Sequence, residues 1–368
     1  MKKFGFVVRT LTTGSLLVLI AGASALALTP EQQALVNKYK ISPADQEKLF
    51  GAQAVAAQPA QPRTNPASPR RAPASTAAPT NSASNNILSN THVWIGGDAF
   101  KSLGDRITNI NGGVGALNND FGVVGGFNTS IGLGDLPVRV QAGASYGIYD
   151  FSGRIRLVPD SSDTQKQSFF TAGLYKRGDM TNANDRISWG VVYDIMQASS
   201  WGVNANSINL SQARGIFGFA LTDATEIGVW GTMNVNHDRA AVTVAGAPGV
   251  RTTIRSMDQA NFYVKQNFAF GGQLTAYAGR LDNASVGDWQ AGLLGQVPLN
   301  SHWAAYGNFN YVVPSGPSGP NGSGLEQWAV SFGLTYYFGG NAASASVTGN
   351  KGTPLLPVAN NGSFLVTD

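Results

Sequence analysis

The sequence contains no cysteine and only three histidines. Without cysteine the chain can form no disulfide, no thiolate metal site and no lipoprotein anchor, and it offers no cysteine nucleophile. Charged residues are also scarce, at 12% of 368 positions, which is about half of the usual share. Coiled coils and helical bundles need many more charged residues, so both classes are excluded.

The net charge of +4 is placed unevenly along the chain. Residues 86–340 carry fifteen basic and seventeen acidic side chains, and the basic excess lies before residue 86. The part of the chain with the apolar residues for a core is therefore slightly acidic. A nucleic-acid partner is not expected, because recognition of nucleic acid needs a basic patch on the folded domain.

The first 27 residues have the organisation of a secretory signal peptide. Lys2 and Lys3 give a positive start, an apolar stretch is centred on residues 16–20, and residues 25–27 read Ala-Leu-Ala, a small-x-small cleavage pattern. The apolar stretch is shorter than the about 20 residues that a spanning helix needs. We therefore expect residues 1–27 to direct export and to be cleaved off.

Two further segments precede the strand-rich part of the chain. Residues 28–50 contain two helix starts of the Thr-Pro and Ser-Pro type and predict a short helical segment. Residues 51–88 are rich in Pro and Ala and have no hydrophobic period, which is typical of a disordered linker. The arginines of this linker could contact an anionic partner such as the cell wall; a solubilising spacer is the alternative.

Residues 89–340 alternate between apolar and polar positions in runs bounded by turn residues. Val229 and Met233 fall on one face of such a run, and Thr232 and Asn234 fall on the other. A period of two predicts strands, because a helix would need a period of 3.6. We count twelve runs, which begin near His92, Phe121, Val138, Lys166, Ile187, Gln212, Glu226, Gln259, Gln273, Trp289, Trp303 and Glu326.

The connections and the aromatic residues indicate what these strands build. Short turns such as Gly271-Gly272 alternate with mostly longer loops such as residues 314–325, and aromatic residues such as Trp289 and Trp303 fall near strand ends on the apolar face. Outer-membrane barrels combine short periplasmic turns, longer outer loops and two aromatic girdles. We therefore predict an all-β fold: a twelve-stranded antiparallel transmembrane β-barrel over residues 89–340, located in the cell outer membrane.

The last strand carries a separate signal. Ser331-x-Gly333-x-x-Tyr336-x-Phe338 resembles the C-terminal strand signal of bacterial outer-membrane β-barrel proteins, which the barrel-assembly machinery reads. The resemblance covers residues 90–340 and implies a porin-like barrel whose partners are outer-membrane lipid and that machinery. The chain departs from the family in a tail, residues 341–368, because such proteins usually end at the final aromatic residue.

Twelve-stranded members of that family include narrow porins, a nucleoside channel, a phospholipase and autotransporter translocators, so function has to come from sites. A phospholipase needs a Ser–His pair at the outer end of the barrel. Only His237 among the three histidines reaches that end, and no motif brings a serine to it. We expect no catalytic residue, no metal site, no cofactor and no enzymatic activity.

The lumen is the remaining candidate site. The predicted pore-lining side chains are Arg139, Gln141, Asp194, Arg214, Glu226, Lys265 and Asn308. Inward glycines leave space between them, at Gly143, Gly190, Gly228, Gly292 and Gly333. This pattern favours a narrow, weakly selective channel for small hydrophilic solutes, with a slight preference for anions. The alternative is a structural or surface-exposed protein without transport, whose barrel is filled by its own polar network or by an inward loop or tail.

Overall fold

The computed structural model describes residues 86–108, 114–116, 120–150, 164–244, 247–282, 286–314, 327–343 and 351–367. The predicted signal peptide, the predicted helical segment and the linker up to residue 85 lie outside the described residues. Among the described residues, no helix is both long and apolar enough to cross a membrane.

Twelve antiparallel strands form one closed barrel. They are β1 (His92–Lys101), β4 (Asp120–Gly132), β5 (Arg139–Tyr149), β6 (Lys166–Lys176), β7 (Ile187–Trp201), β8 (Asn206–Ala220), β9 (Thr225–Asn234), β12 (Gln259–Asn267), β13 (Gln273–Leu281), β14 (Trp289–Pro298), β15 (Trp303–Val313) and β16 (Gln327–Tyr337). Five short strands complete the numbering: β2 (Arg106–Thr108), β3 (Val114–Ala116), β10 (His237–Val244), β11 (Ala247–Ser256) and β17 (Val366–Thr367). The barrel closes because β1 pairs with β4 on one side and with β16 on the other.

The predicted fold class is confirmed, and eleven of the twelve predicted strand starts lie within one residue of the observed ones. The exception is β8, which begins at Asn206 and not near Gln212. Near the start of this strand the buried side chains of Ile208 and Leu210 face inward, whereas Asn209 faces outward. The apolar side chains of this first part of β8 therefore face the lumen. The prediction assumed that apolar side chains face outward, and so it did not include these residues in the strand.

The outer surface of the barrel is apolar. Eleven strands expose a large apolar side chain, and β13 exposes Ala276 and Ala278 in their place. One such side chain from each of these eleven strands is Ile95, Phe127, Ile148, Phe170, Val191, Phe217, Val229, Phe262, Leu293, Phe309 and Leu334. The inward positions between them are polar or small, which is the arrangement of a barrel that faces lipid.

The two ends of the barrel differ in their connections. The short-turn end carries residues 133–138, 177–186, 221–224, 268–272 and 299–302, and the opposite end is called the long-loop end here. At the long-loop end, β9 and β12 are joined through the hairpin of β10 and β11, which the sequence analysis treated as loop. The chain leaves β16 at the short-turn end.

The C-terminal tail returns through the barrel. Residues 351–367, called the lumenal segment here, run from the short-turn end to the long-loop end, where Thr367 and Val366 of β17 pair with Arg255 and Ser256 of β11. The segment therefore crosses the whole height of the lumen as an irregular chain.

Candidate functional site

The lumenal segment is first held at the short-turn end by a charge cluster. The Asp185 carboxylate lies 2.6 Å from Lys351 Nζ and 2.5 Å from Lys176 Nζ. Burial raises the pKa of Asp185, but the hydrogen bonds from Lys176 and Lys351 outweigh it and hold that pKa below its usual range. Arg177 Nη2 donates to the Pro354 carbonyl at 2.9 Å, so the wall also binds the segment's backbone.

Side-chain amides of the wall bind the backbone of the next residues. Gln141 Oε1 accepts hydrogen bonds from the backbone nitrogens of Leu355 and Leu356, each at 3.2 Å. Gln141 Nε2 and Asn128 Nδ2 both donate to the Leu356 carbonyl at 2.9 Å. These amides replace the partners that an irregular buried backbone would otherwise lack.

A buried ion pair marks the middle of the lumen. Arg214 Nε and Nη2 lie 2.9 and 3.1 Å from the two carboxylate oxygens of Asp194, and both side chains are almost completely buried. Arg214 Nη2 also donates to the Pro357 carbonyl at 2.7 Å. Thr171 Oγ1 donates to Asp194 at 2.7 Å and accepts from the Ala359 nitrogen at 3.0 Å. Charge-assisted bonds of this kind are the strong ones, and here they bind the wall to the segment.

Towards the long-loop end the segment makes a turn at residues 360–363. Asn310 Nδ2 donates to the Gly362 carbonyl at 2.6 Å, and Gln259 Nε2 donates to the Ser363 carbonyl at 3.1 Å. These contacts come from β15 and β12, so the turn reaches across the lumen to the strands opposite β5 and β7.

Apolar side chains of the segment complete the barrel's core. Val358, Phe364 and Val366 belong to one buried cluster together with Leu103, Phe169, Met196, Trp201, Ile208, Leu210 and Ile254. Leu365 belongs to a second cluster with Met257, Leu281, Val286 and Val312. Fully burying one such side chain contributes about 1.5–3 kcal/mol. The segment is therefore part of the packed interior.

The inward glycines of β5 and β7 make room for this packing. A Cβ atom at Gly143 would lie 2.5 Å from Val358, and one at Gly190 would lie 2.5 Å from Leu356. The prediction that these glycines leave open space for a pore is wrong at both positions, because the lumenal segment occupies the space.

A cavity of about 330 Å³ remains beside the lumenal segment. Most of its other lining residues come from β9, β12–β16 and β1, and β4, β5, β6 and β8 contribute a few more. Aromatic rings line much of it, from Trp94, Trp230, Tyr263, Tyr277, Tyr306 and Tyr337. Glu226 and Lys265 form an ion pair of 2.6 Å on its wall, and the Tyr263 hydroxyl donates to Glu226 at 2.8 Å.

The structure places all seven predicted pore-lining residues on the lumenal face, in two groups. Gln141, Asp194 and Arg214 hold the lumenal segment, and Arg139 Nε lies beside them, 3.3 Å from Ser130 Oγ. Glu226, Lys265 and Asn308 form the other group and line the cavity, which Arg214 of the first group also borders. Both predicted acidic side chains are paired with a predicted basic one. A role of these residues in conduction stays a prediction.

The predicted assembly signal lies on the closing strand β16 and just after it. Ser331 is buried and faces the lumen, and a Cβ at Gly333 would lie 2.2 Å from the Ile95 carbonyl oxygen of the neighbouring strand. Tyr336 packs edge to face on Phe338, with ring centroids 5.1 Å apart. Recognition of these residues by the assembly machinery stays a prediction.

Sequence reasoning missed the anchors of the lumenal segment, among them Asn128, Ser130 and Thr171. A signal was present in the tail itself: residues 354–358 and 364–366 are apolar runs behind the last strand. Apolar runs of that kind need burial, and the lumen is the nearest place that offers it.

Among the described residues, no group of three or more His, Asp or Glu side chains is placed to hold a metal ion. His237, the histidine that the phospholipase hypothesis would need, begins β10 and lies opposite Arg255 in the hairpin.

The sequence family described as a family of unknown function, DUF6666, matches residues 90–366. The chain belongs to this family. The DUF6666 match covers the barrel together with nearly all of the lumenal segment. The curated proteins contain no match to the chain.

Several solved structures are similar to this DUF6666 chain at low sequence identity. Outer membrane phospholipase A from Escherichia coli is 11% identical, with a TM-score of 0.37 over 67% of this chain and 95% of that one. The NanC porin is 11% identical, with a TM-score of 0.37 over 67% of this chain and 98% of that one. The P. putida toluene transporter TodX is 9% identical, with a TM-score of 0.34 over 68% and 89%.

Proposed function

We propose that this DUF6666 protein is an outer-membrane barrel closed by its own lumenal segment, which serves as a structural or surface-exposed membrane protein and not as an open porin. The observation that carries the proposal is the path of residues 351–367 through the lumen. The side chains of Val358, Ala359, Phe364, Leu365 and Val366 belong to the same buried clusters as side chains of the wall.

Location in the outer membrane is supported by the surface and by the sequence. A closed barrel satisfies every backbone group within itself, which is what a chain in lipid must do. The apolar exterior, the aromatic residues at strand ends and the predicted signal peptide all fit that membrane. Lipid and the barrel-assembly machinery are then its partners, and we propose the cell wall as a partner of the linker of residues 51–88.

Closure is supported by the nature of the contacts along the segment. A plug that leaves readily would be expected to meet the wall through water and exposed polar groups. Here Val358, Phe364 and Val366 are each less than 5% exposed, and the Arg214–Asp194 pair beneath them is desolvated. Releasing the segment would expose these apolar side chains and would break the hydrogen bond from Arg214 to the Pro357 carbonyl.

The test uses the absence of native cysteine. A Cβ at Gly362 would lie 3.8 Å from the Cβ of Ala329 in β16, a separation that suits a disulfide. The double variant A329C/G362C can therefore lock the segment to the wall. In planar bilayers we expect no steady conductance from the unmodified protein or from the oxidised variant. Steady conductance that persists in the oxidised variant would contradict the proposal, since ions would then pass the seated segment.

A second function is favoured by the cavity of about 330 Å³ beside the segment. In this alternative the protein is a narrow, weakly selective channel for small hydrophilic solutes that opens when the segment leaves. The same experiment distinguishes it. Conductance would appear in the reduced variant, vanish on oxidation and return on reduction.

A further inference from the structure

The cavity beside the lumenal segment has a flat aromatic surface. The Tyr263 ring lies against Gly228, where a Cβ would come within 2.6 Å of Cε1. The Tyr277 ring lies in the same way against Gly292, where a Cβ would come within 2.3 Å of Cζ. Because these glycines have no side chain, the rings lie along the wall, and the space in front of them stays open.

A third ring stands at an angle to this surface and borders it. Trp230 of β9 meets Tyr277 edge to face, with the ring centroids 5.2 Å apart. Contiguous rings held in fixed positions form a rigid apolar face, which costs little conformational entropy when it binds a ligand.

Two ion pairs and two singly charged side chains lie at the cavity wall. Glu226 is paired with Lys265, and Arg214 is paired with Asp194. Asp98 accepts from the Tyr149 hydroxyl at 2.8 Å towards the long-loop end, and Arg177 donates to the segment's backbone at the other end. Together these charges sum to zero, and the two outside the ion pairs lie at opposite ends of the cavity, so a charged ligand would lose its hydration without meeting an excess of opposite charge and a neutral ligand is favoured.

Three small polar side chains face the cavity without a side-chain hydrogen bond to any described residue. They are Asn308 of β15 and Ser331 and Thr335 of β16. Asn308 and Ser331 lie directly opposite each other in the paired strands, and Thr335 follows on the same face. An amide and two hydroxyls therefore offer donors and acceptors at neighbouring points of one wall.

We propose that this cavity binds a neutral saccharide of one or two rings. A sugar ring presents C–H groups on its faces, which suit the rings of Tyr263, Tyr277 and Trp230, and hydroxyls on its edge, which suit the amide and hydroxyls of β15 and β16. The volume lies at the lower end of the about 300–1,000 Å³ that small-molecule sites occupy. The lumenal segment forms one wall of this cavity, so the proposal rests on the seated segment of the proposed function.

The test is a calorimetric titration of the full chain in a detergent without a sugar headgroup. The probes are glucose and maltose, with glucuronate and glucosamine as charged rings of similar size. We expect saturable binding of at least one neutral sugar, and weaker binding of both charged rings. Asn308→Ala should weaken that binding about tenfold, since a buried hydroxyl of the ligand loses its partner. The matched control is Gln197→Ala, which removes an exposed amide from the outer face of β7 and should leave binding unchanged.

A gel shift on heating shows that each variant is folded before it is titrated. Failure of the folded protein to bind any neutral sugar would overturn the proposal. Tighter binding of glucuronate or glucosamine, or equal binding by the Asn308→Ala variant, would overturn it as well. The oxidised A329C/G362C variant should still bind, because the seated segment forms one wall of the cavity. Because the oxidised variant keeps the segment in place, its sugar binding can be measured apart from its conductance, and the two proposals fail separately.

Discussion

The two halves of the lumen use inward glycines in different ways. Against β7, Gly190 leaves a notch that Leu356 of the lumenal segment fills. Against β14, Gly292 lies beneath the ring of Tyr277, which belongs to the wall itself. The first notch is filled by the lumenal segment. The second is covered by a ring of the wall itself, which lies flat and leaves a cavity in front of it. A glycine on the lumenal face therefore marks a close approach, but what approaches decides whether the lumen is filled there.

Hydrogen bonding follows the same division. In the filled half, Gln141 gives both its oxygen and its nitrogen to the segment's backbone. In the open half, the side chains of Asn308, Ser331 and Thr335 form no hydrogen bond to any described residue. The filled half is thus a core and contributes to stability, whereas the open half has groups available for a ligand.

The largest effect should come from breaking the ion pair of the filled half. Asp194→Ala leaves the Arg214 guanidinium buried without its carboxylate, so we expect a loss of about 3–5 kcal/mol in the free energy of unfolding. The matched control is Asp223→Ala, whose partner Arg186 lies in an exposed turn and whose loss should be about 0–1 kcal/mol. Denaturant unfolding in lipid vesicles measures both. Similar losses at the two sites would mean that the lumen around Asp194 is wet and the filled half is not a core.

Arginine substitutions at two neighbouring positions of β16 allow the exterior of the barrel to be compared with the open half of the lumen. Leu334 faces outward and is 43% exposed on the barrel surface, whereas Thr335 faces the cavity. Leu334→Arg should cost about 2–4 kcal/mol if the position lies near the bilayer midplane, and Thr335→Arg much less, because its head can reach the cavity. Unfolding free energies in vesicles of the same lipid give the two values. Equal costs would contradict either the lipid-facing surface or the open half.

Filling a notch of the filled half should have an intermediate effect. Gly190→Val forces Leu356 to move, because even a Cβ would lie 2.5 Å from its terminal carbon, and overpacking of this kind costs about 1–3 kcal/mol. Gly215→Val on the neighbouring strand is the control, since no atom lies within 3.8 Å of a Cβ there. The same denaturant experiment reports both changes. A neutral Gly190→Val would show that the segment is not seated against β7.

The strands could be predicted from sequence because one physical contrast, lipid outside and polar groups inside, repeats on every one of them. Where that contrast reverses, as at Ile208 and Leu210 of β8, the prediction was wrong by six residues. Those two side chains face inward and belong to one buried cluster with Phe364, which lies more than 150 positions later in the chain. A local pattern carries no information about that partner.

The candidate site shows the same limit. Parity of the strands correctly gives the inward direction of Arg214, but it cannot show that the side chain binds Asp194 and the Pro357 carbonyl. The tail offered only its two apolar runs as a hint. Whether such runs are buried in the lumen depends on the width of the barrel and on the positions of the notches in its wall. Both properties arise from strands that lie far apart in the sequence, so no single segment predicts them.

The smallest effect should come from the charge cluster at the entrance of the filled half, and it should depend on pH. The pKa of Asp185 lies below the ordinary 3.8 of a free aspartate, so its carboxylate stabilises the folded state fully above that value, and this contribution is lost as the pH falls through the folded pKa. Lys351 is 41% exposed, so solvent screens the pair, and Asp185→Asn should cost about 1 kcal/mol or less. The difference in unfolding free energy between the natural chain and this variant should be the same at pH 7 and pH 5 and should shrink at pH 3. Lys351→Gln, which leaves the bond to Lys176 in place, should show a smaller difference with the same pH dependence. A difference that is undiminished at pH 3 would mean that the carboxylate's charge does not hold the start of the segment, and that its anchoring rests on the backbone hydrogen bonds from Arg177 and Gln141.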